Sequence, residues 1–450
     1  MGGRAASEGA GPVLERDSIA RFIEEGRIDT VELAVADSLG GLRGKRVPAE
    51  VFLATLDSGV ALSSVLFVLD VTADFVPSAW TNLGNGFPDV RVVPDLETIR
   101  ALPWRPGTAF VMCDCIDEER DRVEAAPRQV LTRVVALARE LGYEPAVGPE
   151  LEFFLLDPET RRPRGGALPP YSLAAEPRLE PVVAEIRNQV RAAGVELEAS
   201  NPEYAPGQFE VNIRHSGAVE AADATMLFRY AVKQIAAAHG LLATFMAKPF
   251  TELSGNGFHV HHSLWEGDRN AFAADSGAEP SDTCRHFVAG LQRRIAELTL
   301  LGAPTPNAFK RRQPTSFAPI NATWGLDNRT VAIRVPELGG AGARVEQRDA
   351  GADANPYLVI AGQLAAGLEG VRHGLEPSPR TEGNAYEMGA DEGLPGSLSE
   401  AIWRFEGSEP ARRICGDILH EILLALARAE LDAYGDAVTE WERDRYLETA

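Results

Sequence analysis

Basic residues, cysteines and long apolar runs are all scarce in this 450-residue chain. Lys and Arg number 44 against 66 Asp and Glu, giving a formal net charge of −22. That deficit excludes nucleic acid and anionic membrane as main partners, since both are recognised through excess positive charge. It leaves room for a nucleotide, which needs only a local basic pocket. Four cysteines in so long a chain build no disulfide framework. Cys113 and Cys115 share one face of the short strand VMCDC, yet two thiols alone make a poor metal site. All four read as reduced, buried thiols of a cytosolic protein. No run approaches the roughly 18 apolar residues of a membrane span. The opening MGGRAASEGAGP has no apolar segment of the signal-peptide kind. A disordered tail over 1–16 and a cytoplasmic location are therefore expected.

What is present is ordinary globular composition, 45% hydrophobic and 24% charged, with length for two or more domains. Residues 18–58 mix a short helix, SIARFIEEG, with strand-like VELAVAD, and strand patterns continue through SSVLFVLDV and TAFVMCDC. The charged stretch IDEERDRVEAA then precedes a long helix, APRQVLTRVVALARELGY, which sets a boundary between residues 17–118 and 119–450. Further helices are expected at 181–193, 220–239, 282–301, 355–368, 397–406 and 416–433, with a surface loop at 374–396. The fold class is α+β.

Four strands each carry one polar face, since side chains alternate along a strand. GPELEFFLL puts Glu150 and Glu152 side by side, although Phe153, Phe154 and Leu155 point to a core strand. GQFEVNI turns Glu210 and Asn212 away from Phe209, Val211 and Ile213, with Glu203 just upstream in NPEYAPG. GFHVHHSLW aligns His259, His261 and Ser263, and ARVEQRD aligns Arg344, Glu346 and Arg348. Any one of these is most often a solvated face. Together they supply carboxylates, imidazoles and arginines that a curved sheet could gather on one concave surface. Carboxylates with one or two imidazoles suit hard divalent ions, Mg²⁺ or Mn²⁺, rather than structural zinc. So many acids imply two or more ions, and such ions beside arginines are how proteins handle phosphoryl transfer. Two familiar motifs are rejected. GGLRGKR lacks the P-loop spacing, with Arg46 in place of Ser or Thr, and HEILL has Leu424 where a zinc protease needs its second His.

GPELEF, NPEYAPGQFE, NGFHVHHSL, NAFKRRQP, DNRTVAIRVP, ARVEQR and ANPYL, in this order, resemble the signature segments of the glutamine synthetase superfamily. The resemblance runs from Asp37 nearly to the C-terminus. It implies a small N-terminal β-grasp domain and a large catalytic domain with a curved antiparallel sheet flanked by helices. It also implies a homo-oligomer, a dodecamer of two hexameric rings, with each active site shared between neighbouring subunits. Residue by residue, Glu152, Glu203 and Glu210 match the ligands of one metal, and Glu150, His259 and Glu346 those of a second. Glu198, His261, Ser263, Arg344 and Arg334 match positions that touch ATP. Arg311 and Arg348 match those holding the α-carboxylate of L-glutamate, and Gly255 a backbone contact to it. Arg329 and Arg334 match those steadying the transferred phosphate. The implied reaction phosphorylates the γ-carboxylate of glutamate, after which an amine displaces phosphate.

One departure shapes the substrate. Ammonia-using members read K-R-x-x-P-x-x-E-A-P, where the glutamate helps deprotonate ammonium; here KRRQPTSFAP puts Phe317 at that position. An aromatic ring takes no proton but can pack on an alkyl chain or face a cation. Asp37, in ADSLGGLRGKR, matches the aspartate that the N-terminal domain lends to the ammonium site. The segment PTSFAPINATWGLDNRT resembles glutamate–amine ligases acting on ethanolamine, short alkylamines or polyamines. Ala341 stands where bacterial glutamine synthetases often carry a lysine, and Tyr386 resembles an adenylylated tyrosine, without modification being expected. The reading is thus an ATP-dependent glutamate–amine ligase of nitrogen metabolism. The runner-up is glutamine synthetase proper; a dinuclear metallohydrolase and a non-catalytic homologue rank below.

Overall fold

The polar face that the sequence points to lies in the second of two β-sheets. The computed structural model describes residues 16–119, 121–166, 169–173, 178–274, 279–314, 316–388 and 393–449. The expected disordered tail lies outside the described residues except for Arg16, which begins the helix Arg16–Glu24.

Strands β1 (Ile28–Ala36), β2 (Leu42–Pro48), β3 (Val60–Ser63), β4 (Asp89–Pro94), β5 (Arg100–Ala101) and β6 (Gly107–Ile116) form the first sheet, in the order β2-β1-β6-β4-β3 with β5 on β6. β1 runs parallel to β6 and antiparallel to β2. Val31, Leu33, Phe52, Val92 and Val111 fill its core together with Cys113 and Cys115. Burial pushes both of those thiols well up, so they are inert packing groups. One expectation fails here. SSVLFVLDV is not a strand, because Ser63 Oγ accepts from the Val65 amide at 3.3 Å and starts the 3₁₀ turn Ser64–Phe67.

The second sheet contains β7 (Glu144–Leu156), β8 (Leu197–Pro202), β9 (Gln208–Ile213), β10 (Ser216–Gly217), β11 (Leu242–Thr244), β12 (Gly257–Glu266), β13 (Arg269–Asn270), β14 (Trp324–Leu326), β15 (Ile333–Glu337) and β16 (Arg344–Gly351). Its order is β14-β15-β16-β12-β7-β9-β8, with β10 and β11 on β7 and β13 on β12. Leu151, Phe153, Val211 and Val260 point into a core closed by the helices Pro127–Glu140, Ala218–Ala238, Asp282–Arg294 and Pro356–His373. The helix expected over 282–301 is broken in two. Arg294 is drawn to Glu297 at 2.6 Å and to Glu369, and a separate turn, Thr299–Gly302, then lies against β16. Among the described residues no helix is long and apolar enough to cross a membrane.

The two sheets are joined by a buried cation. Arg128 contacts Asp114 at the end of β6 (2.7 Å), Asp95 (2.6 Å) and Asp223 (2.9 Å), and Tyr357 donates to Asp223 at 2.5 Å. Three carboxylates hold this guanidinium charged despite its burial, so the junction is polar but satisfied.

Candidate active site

Register gathers the site. β12 lies between β7 and β16, antiparallel to both, so directly opposed residues project from the same side. His259 faces Glu150, and His261 faces Glu346. Across β7 and β9, Glu152 faces Glu210 and Glu150 faces Asn212; across β15 and β16, Arg334 faces Glu346. A bulge between Phe258 and Val260 shifts β16 by one residue. That shift keeps Glu346 level with His261 while Arg348 stays beside it.

Two overlapping donor groups result. One ligand atom each from Glu150, His259 and Glu346 lies within 4.8 Å of the others, and the same holds for Glu152, Glu210 and His259. Gly257 makes room for both, since a Cβ there would sit 2.9 Å from His259 Nε2 and 3.4 Å from Glu152 Oε2. Its amide donates to Glu152 Oε2 at 2.5 Å. Glu203, in the turn after β8, stays outside both groups, with Asn201 Nδ2 donating to its Oε1 at 2.8 Å. Carboxylate oxygens around one imidazole are the donor set of a hard divalent cation, so these residues fit such ions.

The two groups differ in charge. Burial would raise Glu346, but the Arg348 guanidinium and the His261 and His259 imidazoles hold it at about 2. Burial likewise opposes ionisation of Glu150, yet His261 and His259 keep it well below the ordinary range. On the other side, burial and the neighbouring Glu152 push Glu203 up to about 7. Burial and the charges of Glu150, Glu152 and Glu203 push Glu210 up to about 9.

Arginines close the face. Arg334 donates to Glu346 at 2.8 Å and to Asp327 at 2.6 Å, and Arg348 also reaches Glu346. Arg344 Nε donates to His261 Nδ1 at 3.2 Å, and His261 Nε2 lies 3.0 Å from Glu150 Oε1. Arg311 is buried and donates to the carbonyls of Asp349 (2.7 Å) and Ala350 (2.8 Å). Gly255 lets it pass, because a Cβ there would lie 2.6 Å from Arg311 Cγ. Arg329 is exposed in the turn after β14, where its charge acts on Glu203.

At the β7–β12 edge Glu198, His261, Ser263 and Arg344 line one pocket of about 270 Å³, with Ala341 in its rim. Asn212 and His215 line it too. Neither stood out in sequence as a site residue, although Asn212 continues the polar alternation of β9 and His215 lies two residues past the end of that strand. Asp37 is elsewhere. Its Oδ1 accepts from the amides of Leu39 (3.0 Å) and Gly41 (2.7 Å), and Arg43 holds its Oδ2 at 2.8 Å. Phe317 takes a left-handed backbone, φ 57°, and its ring lies 5.9 Å from that of Tyr204. Tyr204 and Asp327 were both missed; Asp327 also sits at positive φ, which no sequence signal marked.

Comparison with known proteins points to a single family. The family profile described as "Glutamine synthetase, catalytic domain" matches residues 124–446. The chain is 37% identical over 444 residues to a glutamate–isopropylamine ligase of a Pseudomonas species, covering 95% of this chain and 96% of that protein. It is 39% identical over 450 residues to the γ-glutamylethanolamide synthetase GlnA4 of Streptomyces coelicolor, covering 97% and 96%. Among solved structures, GmaS in complex with ADP superposes with a TM-score of 0.86 at 32% identity, over 96% of this chain and 99% of that one.

Proposed function

This chain belongs to the glutamine synthetase family, and on that premise we propose that it joins the γ-carboxylate of L-glutamate to a primary amine at the expense of ATP. The carrying observation is the pair of donor groups sharing His259 beside Arg334 and Arg348. Glu150, His259 and Glu346 would hold one divalent cation, Mg²⁺ or Mn²⁺, and Glu152 and Glu210 a second, which Glu203 would join by a shift of the turn after β8. When bound, such ions neutralise phosphate oxygens and so favour phosphoryl transfer. The nucleotide occupies the pocket of Glu198, His261, Ser263 and Arg344. Arg311 and Arg348, with the backbone of Gly255, orient glutamate through its α-carboxylate. Its γ-carboxylate oxygen takes the terminal phosphoryl group of ATP, ADP leaves, and Arg329 and Arg334 offset the charge that develops on that group. The amine nitrogen then attacks the acyl carbon, phosphate departs, and the nitrogen releases a proton.

Phe317 in the place of an acid supports an amine larger than ammonia, as do relatives named for isopropylamine and ethanolamine. The division into 17–118 and 119–450 belongs to the same proposal, supported by β6 ending at Ile116 and the next helix starting at Pro127. So does a cytoplasmic ring oligomer in which Asp37 serves a neighbour's site, with the amine displacing Arg43 as its partner. Mixing Asp37→Ala with Glu152→Ala subunits before reassembly should restore activity in sites that combine intact halves; mixed rings that stay inactive overturn the shared site. The reaction is tested by following ADP release with glutamate, Mg²⁺ and a panel of amines. Glutamine formed from ammonia faster than any other amide overturns the amine assignment.

A further inference from the structure

Two large rings from distant parts of the chain meet in solvent at the edge of the site. Tyr204 follows Glu203 in the β8–β9 turn and is 54% exposed, and Phe317 is 42% exposed, so neither ring is there to fill a core. Their centroids are 5.9 Å apart at 31°, a contact that leaves a continuous apolar surface facing water. The second ring is held in place at a conformational cost. Phe317 has φ 57°, a region that bulky residues avoid. Ser316 Oγ donates to the Arg311 (3.0 Å) and Gln313 (2.6 Å) carbonyls, and Tyr386 donates to the Ala318 carbonyl at 3.1 Å. The pinned loop is thus bonded to the same Arg311 that is proposed to orient glutamate. Exposed Arg329 places a positive charge near Glu203, the residue preceding Tyr204.

From this arrangement we propose that Tyr204 is a specificity-determining residue, forming with Phe317 an aromatic wall that selects monoamines with a short carbon tail over ammonium and over diamines. The proposal rests on the glutamate–amine ligase reading and deepens it. An aromatic wall gains contact with each added methylene, which ammonium lacks. A diamine brings a second ammonium to a mouth that already carries Arg329. Of the acids nearby, Glu210 lies in a cation donor group and Glu203 is bonded to Asn201.

The test measures kcat/KM for methylamine, ethylamine, propylamine, butylamine, putrescine and ammonia with wild type, Tyr204→Ala and Tyr204→Phe. Wild type should gain about four-fold per methylene, the value of one buried CH₂, and should favour butylamine over putrescine. Tyr204→Ala should flatten the chain-length dependence with the KM for glutamate unchanged, and Tyr204→Phe should retain it. An unchanged slope in Tyr204→Ala overturns the proposal, as does equal flattening in Tyr204→Phe, which would make the hydroxyl the determinant. Putrescine outrunning butylamine overturns the exclusion of diamines alone. Wild type that sustains ADP release over many turnovers with no amine present overturns the underlying reaction, a failure separate from any change of slope.

Discussion

The two carboxylate groups share one sheet face and one histidine, yet they are prepared in opposite ways. Around Glu346 the chain supplies its own positive charge, with Arg334 at 2.8 Å and Arg348 also bonded to it. Around Glu152, Glu203 and Glu210 the nearest polar partners are amides: Asn201, Asn212 at 3.3 Å and the Gly257 N–H. Glu346 therefore stays ionised to about 2, whereas Glu210 keeps its proton to about 9. Identical side chains on one sheet face become a site that is ionised in advance and a site that holds its protons. The difference lies in which neighbours the register brings opposite them.

The most severe way to break this comparison is to remove one ligand from each side. Glu150→Ala and Glu152→Ala should each lower turnover by at least about 10³-fold with every amine, because several kcal/mol of transition-state charge stabilisation depend on each cation. Steady-state ADP release measures it. A loss of only a few-fold in either variant would mean that one group holds no catalytic ion.

Stability should separate the groups by sign. In metal-free protein at pH 8, Glu346→Gln leaves Arg334 and Arg348 without their buried counter-charge and should cost about 3 kcal/mol. Glu210→Gln removes a carboxyl that resists ionisation among Glu150, Glu152 and Glu203, and should stabilise by about 1 kcal/mol. Urea unfolding in the presence of a chelator reads both. Equal destabilisation would show that the groups are electrostatically alike.

Much of this site was legible because strand alternation has a period of two, so HVH, ELE and VEQR declare their polar faces without any pairing information. Pairing itself was not legible. Nothing in ARVEQRD announces the bulge that keeps Glu346 level with His261, and nothing in NPEYAPG shows that Glu203 stands apart from Glu152 and Glu210. Tyr204 escaped notice because its partner is 113 positions away and the contact exists only once the β8–β9 turn meets the loop at Phe317. Asp37 was identified by its motif, but its bonds to Arg43 and Gly41 depend on a turn whose closure is a three-dimensional fact. SSVLFVLDV looked like a strand for the opposite reason. Its apolar run outweighed the one hydroxyl, on Ser63, that turns the backbone.

A gentler probe of the comparison is a pH titration of cation binding. Glu203 and Glu210 have folded values of about 7 and about 9, above the ordinary carboxylate range, so the native state holds protons that the unfolded chain releases. Their contribution to metal-free stability therefore falls as pH rises from about 5 to about 9. A divalent ion replaces those protons and cancels the loss. The rise in Tm on adding Mg²⁺ should be larger at pH 9 than at pH 6 by several degrees, as scanning calorimetry would show. A rise independent of pH would mean that the ion sits only in the group around Glu346, whose acids are ionised across the whole window.

The smallest effect comes from adding an acid on the side that has too many. Phe317→Glu places a carboxylate against Tyr204, one residue from Glu203, and removes the apolar surface on which an alkyl tail can rest. Two consequences oppose each other. The new charge offers ammonium a partner and a route for its proton, which favours ammonia. It also adds repulsion to Glu203 and Glu210, already difficult to ionise, which weakens the second cation group at low Mg²⁺. At saturating Mg²⁺ the first consequence should dominate, and the ratio of kcat/KM for ammonia to that for propylamine should rise about ten-fold, near 1.4 kcal/mol. At limiting Mg²⁺ the variant should need more of the ion for half-maximal activity than wild type does. Both curves come from one set of rate measurements. An unchanged amine ratio at saturating Mg²⁺ would show that Phe317 does not face the amine, and the discrimination would then have to lie with Tyr204 alone.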